Sequence, residues 1–236
     1  MRIALMVIRL FFRVPYYFFG IWWYGKKKNA DFAKSYAFVK KVATAANKAG
    51  RVKVEAIGVE NLPKEDGFMF YPNHQGLYDV LAFLESCPRP FTFVIKKEAS
   101  NIILLKQVIA ALKAYPMDRD DVKQSMQVIL NVTKDVKNGR NALIFAEGTR
   151  SRNGNELLEF KGGSFKSATK AKCPIVPCAL IDSFKPFDEN NIKPITVKLI
   201  YLPPMYYDEY KDMKTVEIAE EVRRRIQEEI YKHTKQ

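Results

Sequence analysis

Two histidines occur among the 236 residues, and one of them, His74, is followed five positions later by Asp79. Neutral imidazole is the side chain best suited to take a proton near pH 7. A carboxylate on its other ring nitrogen fixes the tautomer and steadies the imidazolium that forms. On one continuous helix, positions five apart diverge by about 140° at roughly 3.6 residues per turn. The pair therefore requires His74 in a turn and Asp79 at a helix start. The segment Asn73–Asp79 holds no Ser or Thr, and no G-x-S-x-G elbow is present, so no nucleophile is offered locally. The chemistry this suggests is deprotonation of a hydroxyl on the substrate. The alternative is a buried histidine hydrogen-bonded to a neighbouring aspartate.

Further groups suit an anion. Glu147-Gly148-Thr149-Arg150-Ser151 follows the short apolar run Leu143-Ile144-Phe145. Gly148 permits a tight turn, and the planar fork of Arg150 matches a phosphate. Phe160-Lys161-Gly162-Gly163-Ser164 places a cation before glycines at an expected helix start, where backbone N–H groups favour an anion. Arg119 stands in the expected loop Tyr115–Arg119, with Asp118, Asp120 and Asp121 as competing surface partners. Each stretch alone also reads as an ordinary charged loop.

These groups need elements to position them. From Val52 the pattern alternates: strands are predicted at 52–57, 67–71, 91–95, 142–146, 175–181 and 195–202, and helices at 79–87, 97–113, 121–137, 162–172 and 213–233. That alternation predicts an α/β fold, a mainly parallel sheet flanked by helices. Its ligands sit beyond the C-terminal strand ends. Residues 50–236 are read as this domain, and residues 1–49 as an N-terminal two-helix membrane-binding platform.

The first helix, joined to the second near Gly25, is rich in Phe, Tyr and Trp, with Arg2, Arg9 and Arg13 interleaved and Lys26-Lys27-Lys28 at its end. Its longest uncharged run, Val14–Gly25, falls short of the roughly 20 residues that span a bilayer. Aromatic and basic residues favour the headgroup region, so the segment is expected to lie in one leaflet; a tilted span is the alternative. The second helix turns Phe32, Tyr36, Val39 and Ala43 to one face and is expected to end at Gly50.

The net charge of +13, from 39 basic and 26 acidic residues, suits an anionic partner. Three cysteines without a CxxC argue against a disulfide frame and for a reducing compartment. There is no metal-ligand spacing and no nucleotide-cradling glycine loop, and no nucleic-acid module is recognisable.

Taken in order, Asn73-His74-x4-Asp79, Phe145-x-Glu147-Gly148-Thr149-Arg150-Ser151 and Ile175-Val176-Pro177 resemble the motif set of the glycerolipid acyltransferases, best the lysophosphatidate acyltransferase branch. The resemblance spans residues 70–205. It implies transfer of a fatty acyl group from a thioester to the sn-2 hydroxyl of 1-acyl-glycerol 3-phosphate, giving phosphatidic acid. His74 would be the general base and Asp79 its orienter. Asn73, Arg119, Glu147, Gly148, Thr149 and Arg150 would bind the acceptor, and Val176 and Pro177 would shape the acyl side. Ala114-Tyr115-Pro116-Met117 replaces the family's Gly-x-Ile-Phe lead-in to Arg119.

Lys161 and Lys96 are added from charge and position. The backbone N–H groups near Gln75–Gly76 are the nearest donors for an oxyanion. No cofactor is expected beyond acyl-CoA or acyl carrier protein as thioester co-substrate, and no metal. The expected partners are lysophosphatidic acid, one of those donors and an anionic membrane surface, with the protein associated with a membrane on its cytoplasmic face. Acylation of glycerol 3-phosphate or another lysophospholipid, a lipid or thioester hydrolase, and a non-catalytic basic membrane-binding protein are the alternatives.

Overall fold

A computed structural model of the chain describes residues 1–27, 29–102 and 104–234. Lys28 of the basic triplet and Ile103 of the predicted helix 97–113 lie outside the described residues.

Among the described residues, seven strands form one sheet in the order β1-β7-β6-β2-β5-β3-β4. They are β1 (Val52–Ile57), β2 (Met69–Pro72), β3 (Phe91–Lys96), β4 (Tyr115–Met117), β5 (Asn141–Leu143), β6 (Ile175–Ile181) and β7 (Ile195–Tyr201). Every pairing is parallel except β6 with β7. The C-terminal ends of β6, β2, β5, β3 and β4 therefore all open at one end of the sheet. β4 was not expected from the sequence. It is three residues long, contains Pro116 and pairs only with β3, as suits an edge strand.

The central strands are buried on both faces, and their side chains alternate between two cores. Phe70, Leu143, Val176, Cys178 and Leu180 enter one. Met69, Tyr71, Ala142, Ile175 and Ala179 enter the other. The first core is covered by α3 (Phe32–Ala49), α4 (Asp79–Ser86) and α5 (Leu105–Ala111). The second is covered by α6 (Val122–Lys137), α7 (Lys166–Ala171), the single-turn α9 (Tyr207–Tyr210) and α10 (Thr215–Thr234), while the single-turn α8 (Lys185–Asp188), between β6 and β7, packs Phe187 against the first core.

Two predicted helices are shortened by their own first residues. Lys97–Asn101 forms a 3₁₀ turn in which the Ser100 hydroxyl bonds the Lys97 carbonyl, and α5 starts only at Leu105. Gly162–Phe165 likewise stays 3₁₀ before α7, because adjacent glycines are poor helix formers.

Among the described residues the N-terminal segment holds three α-helices rather than two. α1 (Arg2–Arg9) and α2 (Val14–Lys26) meet at a 69° bend around a 3₁₀ turn at Phe11–Arg13. Among the described residues no single helix is long and apolar enough to cross a membrane; only this bent pair passes by length and composition.

Met6, Ile21, Tyr36 and Val39 share a hydrophobic cluster with the sheet. Arg2, expected among the lipid-facing cations, instead points inward. Its fully buried guanidinium donates to the carbonyls of Gly50 (2.6 Å), Pro186 (3.2 Å) and Lys193 (2.9 Å) and to Asn191 Oδ1 (3.1 Å). Arg9 bonds the Ala49 carbonyl at the end of α3. Gly50 does cap α3, but at φ −78°, and the left-handed residue is Arg51. The glycine lets Met6 pack closely against it: a Cβ there would push on the end of the Met6 side chain, which would have to shift.

Candidate active site

The turn after β2 and the start of α4 satisfy the geometric condition set by the His–Asp spacing. Asp79 is the first residue of α4, and His74 lies in the turn before it. His74 Nδ1 is 2.7 Å from Asp79 Oδ2. Nε2 then carries the lone pair, and it has no partner among the described residues. The imidazole side chain is 19% exposed, whereas that of Asp79 is fully buried. One face of the ring stacks on Phe145, with centroids 4.0 Å apart and planes 22° apart. The imidazole is thus fixed by a hydrogen bond at one nitrogen and a phenyl ring on one face, with its basic nitrogen unclaimed.

Asp79 is held as firmly as the base it orients. Oδ2 also accepts from Gln75 N–H (2.8 Å) and Gly76 N–H (3.1 Å). Oδ1 accepts from Gly76 N–H (3.1 Å) and from the buried Ser183 hydroxyl (2.6 Å). The Gln75 and Gly76 N–H groups, expected to serve an oxyanion, are therefore engaged on Asp79 and do not point to a substrate.

The loop after β5 is stitched to the same turn. Glu147 Oε1 accepts from His74 N–H at 2.7 Å, and Ser151 N–H donates to the His74 carbonyl at 2.8 Å. Glu147 Oε2 accepts from Leu158 N–H at 3.1 Å, and the Leu158 carbonyl is held by Arg223 Nε of α10 at 2.9 Å. Burial pushes the Glu147 carboxyl up to about 7; the two N–H donors and Arg223 oppose the rise and nearby Asp79 adds to it. Gly148 adopts φ +75°, a left-handed conformation that an L side chain strains to adopt. It also lies directly beneath Lys161, whose Nζ would stand 3.1 Å from an added Cβ. Thr149 is exposed and Arg150 half-buried, one residue from the Ser151 contact to His74. Arg150 has no ion-pair partner among the described residues.

Not every expected site residue reaches this cluster. His74, Asp79, Glu147, Gly148 and Lys161 come together, with Thr149 and Arg150 on the adjoining turn. Asn73 and Glu147 were expected to touch substrate, but their polar atoms are turned to protein. Asn73 is buried and bonds both the N–H (2.7 Å) and the carbonyl (3.0 Å) of Leu180 in β6. Arg119 follows the edge strand β4, at the same end of the sheet but three strands from β2, or about 14 Å at the usual strand spacing. Lys96 ends β3 and is paired with Glu98 at 2.9 Å. Val176 and Pro177 are buried in β6, opposite Phe70 and Tyr71 of β2, and lie within the sheet rather than at its mouth.

The contributions of Phe145 stacking, Ser183 and Asn155 were not read from the sequence. Asn155 Oδ1 accepts from Gln75 Nε2 (2.8 Å) and from Asp182 N–H (2.9 Å), joining the three loops. Ser183 is 104 residues from Asp79 in the chain, and no local spacing links them. The usable signal was topological: β6 neighbours β2 in the same direction, so the segment after β6 must emerge beside His74.

Residues 53–181 match the family model described as Acyltransferase. The chain is 29% identical over 141 residues to a 1-acyl-sn-glycerol-3-phosphate acyltransferase of Borreliella burgdorferi, covering 60% of this chain and 56% of that protein. A chloroplastic 1-acyl-sn-glycerol-3-phosphate acyltransferase of Brassica napus is 30% identical over 158 residues, 65% of this chain and 45% of the relative. For a protein of that name from Helicobacter pylori the values are 29% over 162 residues, 68% and 67%. The aligned part of the chain spans about half the length of the first two relatives. The crystal structure of a 1-acyl-sn-glycerophosphate acyltransferase, PlsC, from Thermotoga maritima shares the fold, with a TM-score of 0.74 at 23% identity over 97% of both chains.

Proposed function

The chain belongs to the acyltransferase family, and from that premise we propose that it moves a fatty acyl group from a thioester to the sn-2 hydroxyl of 1-acyl-glycerol 3-phosphate, giving phosphatidic acid. The observation that carries the reading is the imidazole itself: Nδ1 bonded to a buried carboxylate, with Nε2 unpartnered among the described residues. In this reading Nε2 takes the hydroxyl proton as the acceptor oxygen bonds the thioester carbonyl carbon. The carbon–sulfur bond then breaks, and the proton passes to the departing thiolate. Asp79 holds the imidazolium in between. The thioester is already activated, so base, alignment and charge suffice and no covalent acyl-enzyme is required. The names of the relatives support the acceptor.

Arg150 and Lys161, beside the turn that touches His74, are assigned to the acceptor phosphate. Arg119 is assigned to the outer part of the same anionic site. Glu147 and Asn73 act in this account by shaping the His74 turn. The α1–α2 segment is assigned to the membrane surface, so that the lipid acceptor need not leave the bilayer fully. Phe11, Phe12, Tyr16, Phe19, Trp22 and Trp23 are all exposed there, which suits the headgroup region.

The test is direct. Purified protein is incubated with 1-acyl-glycerol 3-phosphate and either acyl-CoA or acyl-acyl carrier protein, and the lipid product is identified by mass. Phosphatidic acid is the expected product. Product formed only from glycerol 3-phosphate or from another lysophospholipid would reassign the acceptor, and free fatty acid released without any acceptor would point to a hydrolase.

A further inference from the structure

We propose that Ser183 is a positioning residue for the base, acting through Asp79; the role in catalysis rests on the acyl-transfer reading above. Ser183 lies in the turn after β6, is fully buried, and donates its hydroxyl to Asp79 Oδ1 at 2.6 Å. Its own N–H donates to Gln75 Oε1 at 2.7 Å. The serine therefore grips the His74 turn twice, once through the catalytic carboxylate and once through the residue beside the imidazole.

The backbone around it is set up for this grip. Asp182 adopts φ +62°, a left-handed conformation uncommon outside glycine, for which aspartate is among the more tolerant side chains. It is held there from several sides. Asn155 accepts from the Asp182 N–H at 2.9 Å and donates to Asp182 Oδ1 at 3.1 Å, and Lys185 pairs with Oδ2 at 2.8 Å. A left-handed residue fixed by three contacts, next to a serine aimed at a buried carboxylate, is the arrangement expected of a turn shaped for a site. Gly76 closes the gap from the other side. A Cβ there would stand 3.2 Å from Phe184 Cα and 3.3 Å from the Ser183 carbonyl, so the two turns are in backbone contact.

The physical role follows from the two carboxylate oxygens. Oδ2 faces His74 and also accepts from the Gln75 N–H, and among the described residues Oδ1 has only the Gly76 N–H and the Ser183 hydroxyl. The Gly76 N–H is shared between both oxygens at 3.1 Å, so it does little to choose a rotation for the carboxylate. The Gln75 N–H anchors Oδ2 and the serine hydroxyl anchors Oδ1, and together they keep the plane turned so that Oδ2 meets Nδ1. A hydrogen bond to a charged group contributes about 1.5–3 kcal/mol. If that preference is expressed in the transition state, its loss corresponds to roughly 10- to 100-fold in rate.

Ser183→Ala and Ser183→Thr are compared in the full chain with two readouts. The first is kinetic. Ser183→Ala is expected to lower kcat about 10- to 100-fold with KM for both substrates nearly unchanged, Ser183→Thr to recover most of the loss, and Ser183→Ala to add little to Asp79→Asn. The second is the downfield proton resonance of His74 Nδ1–H, readily assigned because the chain has two histidines. It is expected to move in Ser183→Ala and to stay near its wild-type position in Ser183→Thr. Wild-type kcat together with an unmoved resonance in Ser183→Ala would overturn the inference. The resonance reads the grip on Asp79 even in a protein that transfers no acyl group, so failure of the proposed reaction and failure of the serine's role are separable.

Discussion

At the scale of single residues, the His74–Asp79 pair was legible because a turn followed by a helix start is the local geometry that lets residues five apart meet. The donors around Asp79 and the role of Glu147 were not legible. Motif matching assigns Glu147 to substrate, whereas its two oxygens are taken by the N–H groups of His74 and Leu158, the second of them contributed by a loop eleven residues on. Its titration provides a test. The folded-state value of about 7 lies above the ordinary 4.5, so between those values the folded protein holds more protons than the unfolded chain. The Glu147 contribution to stability is therefore greatest below pH 4.5, declines as pH rises to about 7, and is flat beyond. Urea unfolding of wild type and Glu147→Gln across this range should show the wild-type advantage shrinking from pH 4.5 to 7. An advantage that is constant or grows with pH would contradict burial as the dominant influence.

At the scale of elements, the alternation of strands and helices gave the sheet and its helical layers. It missed β4, which is too short and too proline-rich to carry a strand pattern, and it merged α1 and α2, whose break at Leu10–Arg13 has no glycine and no proline before position 15 to mark it. The joint between elements that matters most for the site is Asn73, which ties the end of β2 to Leu180 of β6 through both ends of its amide. Asn73→Ala leaves a buried N–H and a buried carbonyl without those partners, at about 1–3 kcal/mol for each unsatisfied group. Calorimetry should show a clear drop in Tm, accompanied by loss of transfer activity. An unchanged Tm would mean that β2 and β6 hold the turn without this clamp.

At the scale of the whole molecule, exposed aromatics and cations without acidic partners among the described residues both occur in the N-terminal helices. Phe12 is 93% exposed, and a groove of about 480 Å³ between α2 and α3 is lined by Arg13, Lys40, Lys41 and Lys48 with Tyr17. Arg13 and Lys48 have no acidic partner among the described residues. Vesicles containing anionic lipid should bind the protein better than neutral ones, and less well as salt rises. Phe12→Asp with Trp23→Asp should weaken binding while a short-chain, water-soluble acceptor is still acylated. Equal binding of that double variant would remove α1–α2 from the membrane contact.

The central claim, that one imidazole draws the proton from a lipid alcohol, meets its most direct test in the phosphatidic acid formed by His74→Ala beside wild type, with the fold of both checked by circular dichroism. The account predicts a loss of turnover by orders of magnitude in a protein that remains folded; turnover near the wild-type rate would contradict it.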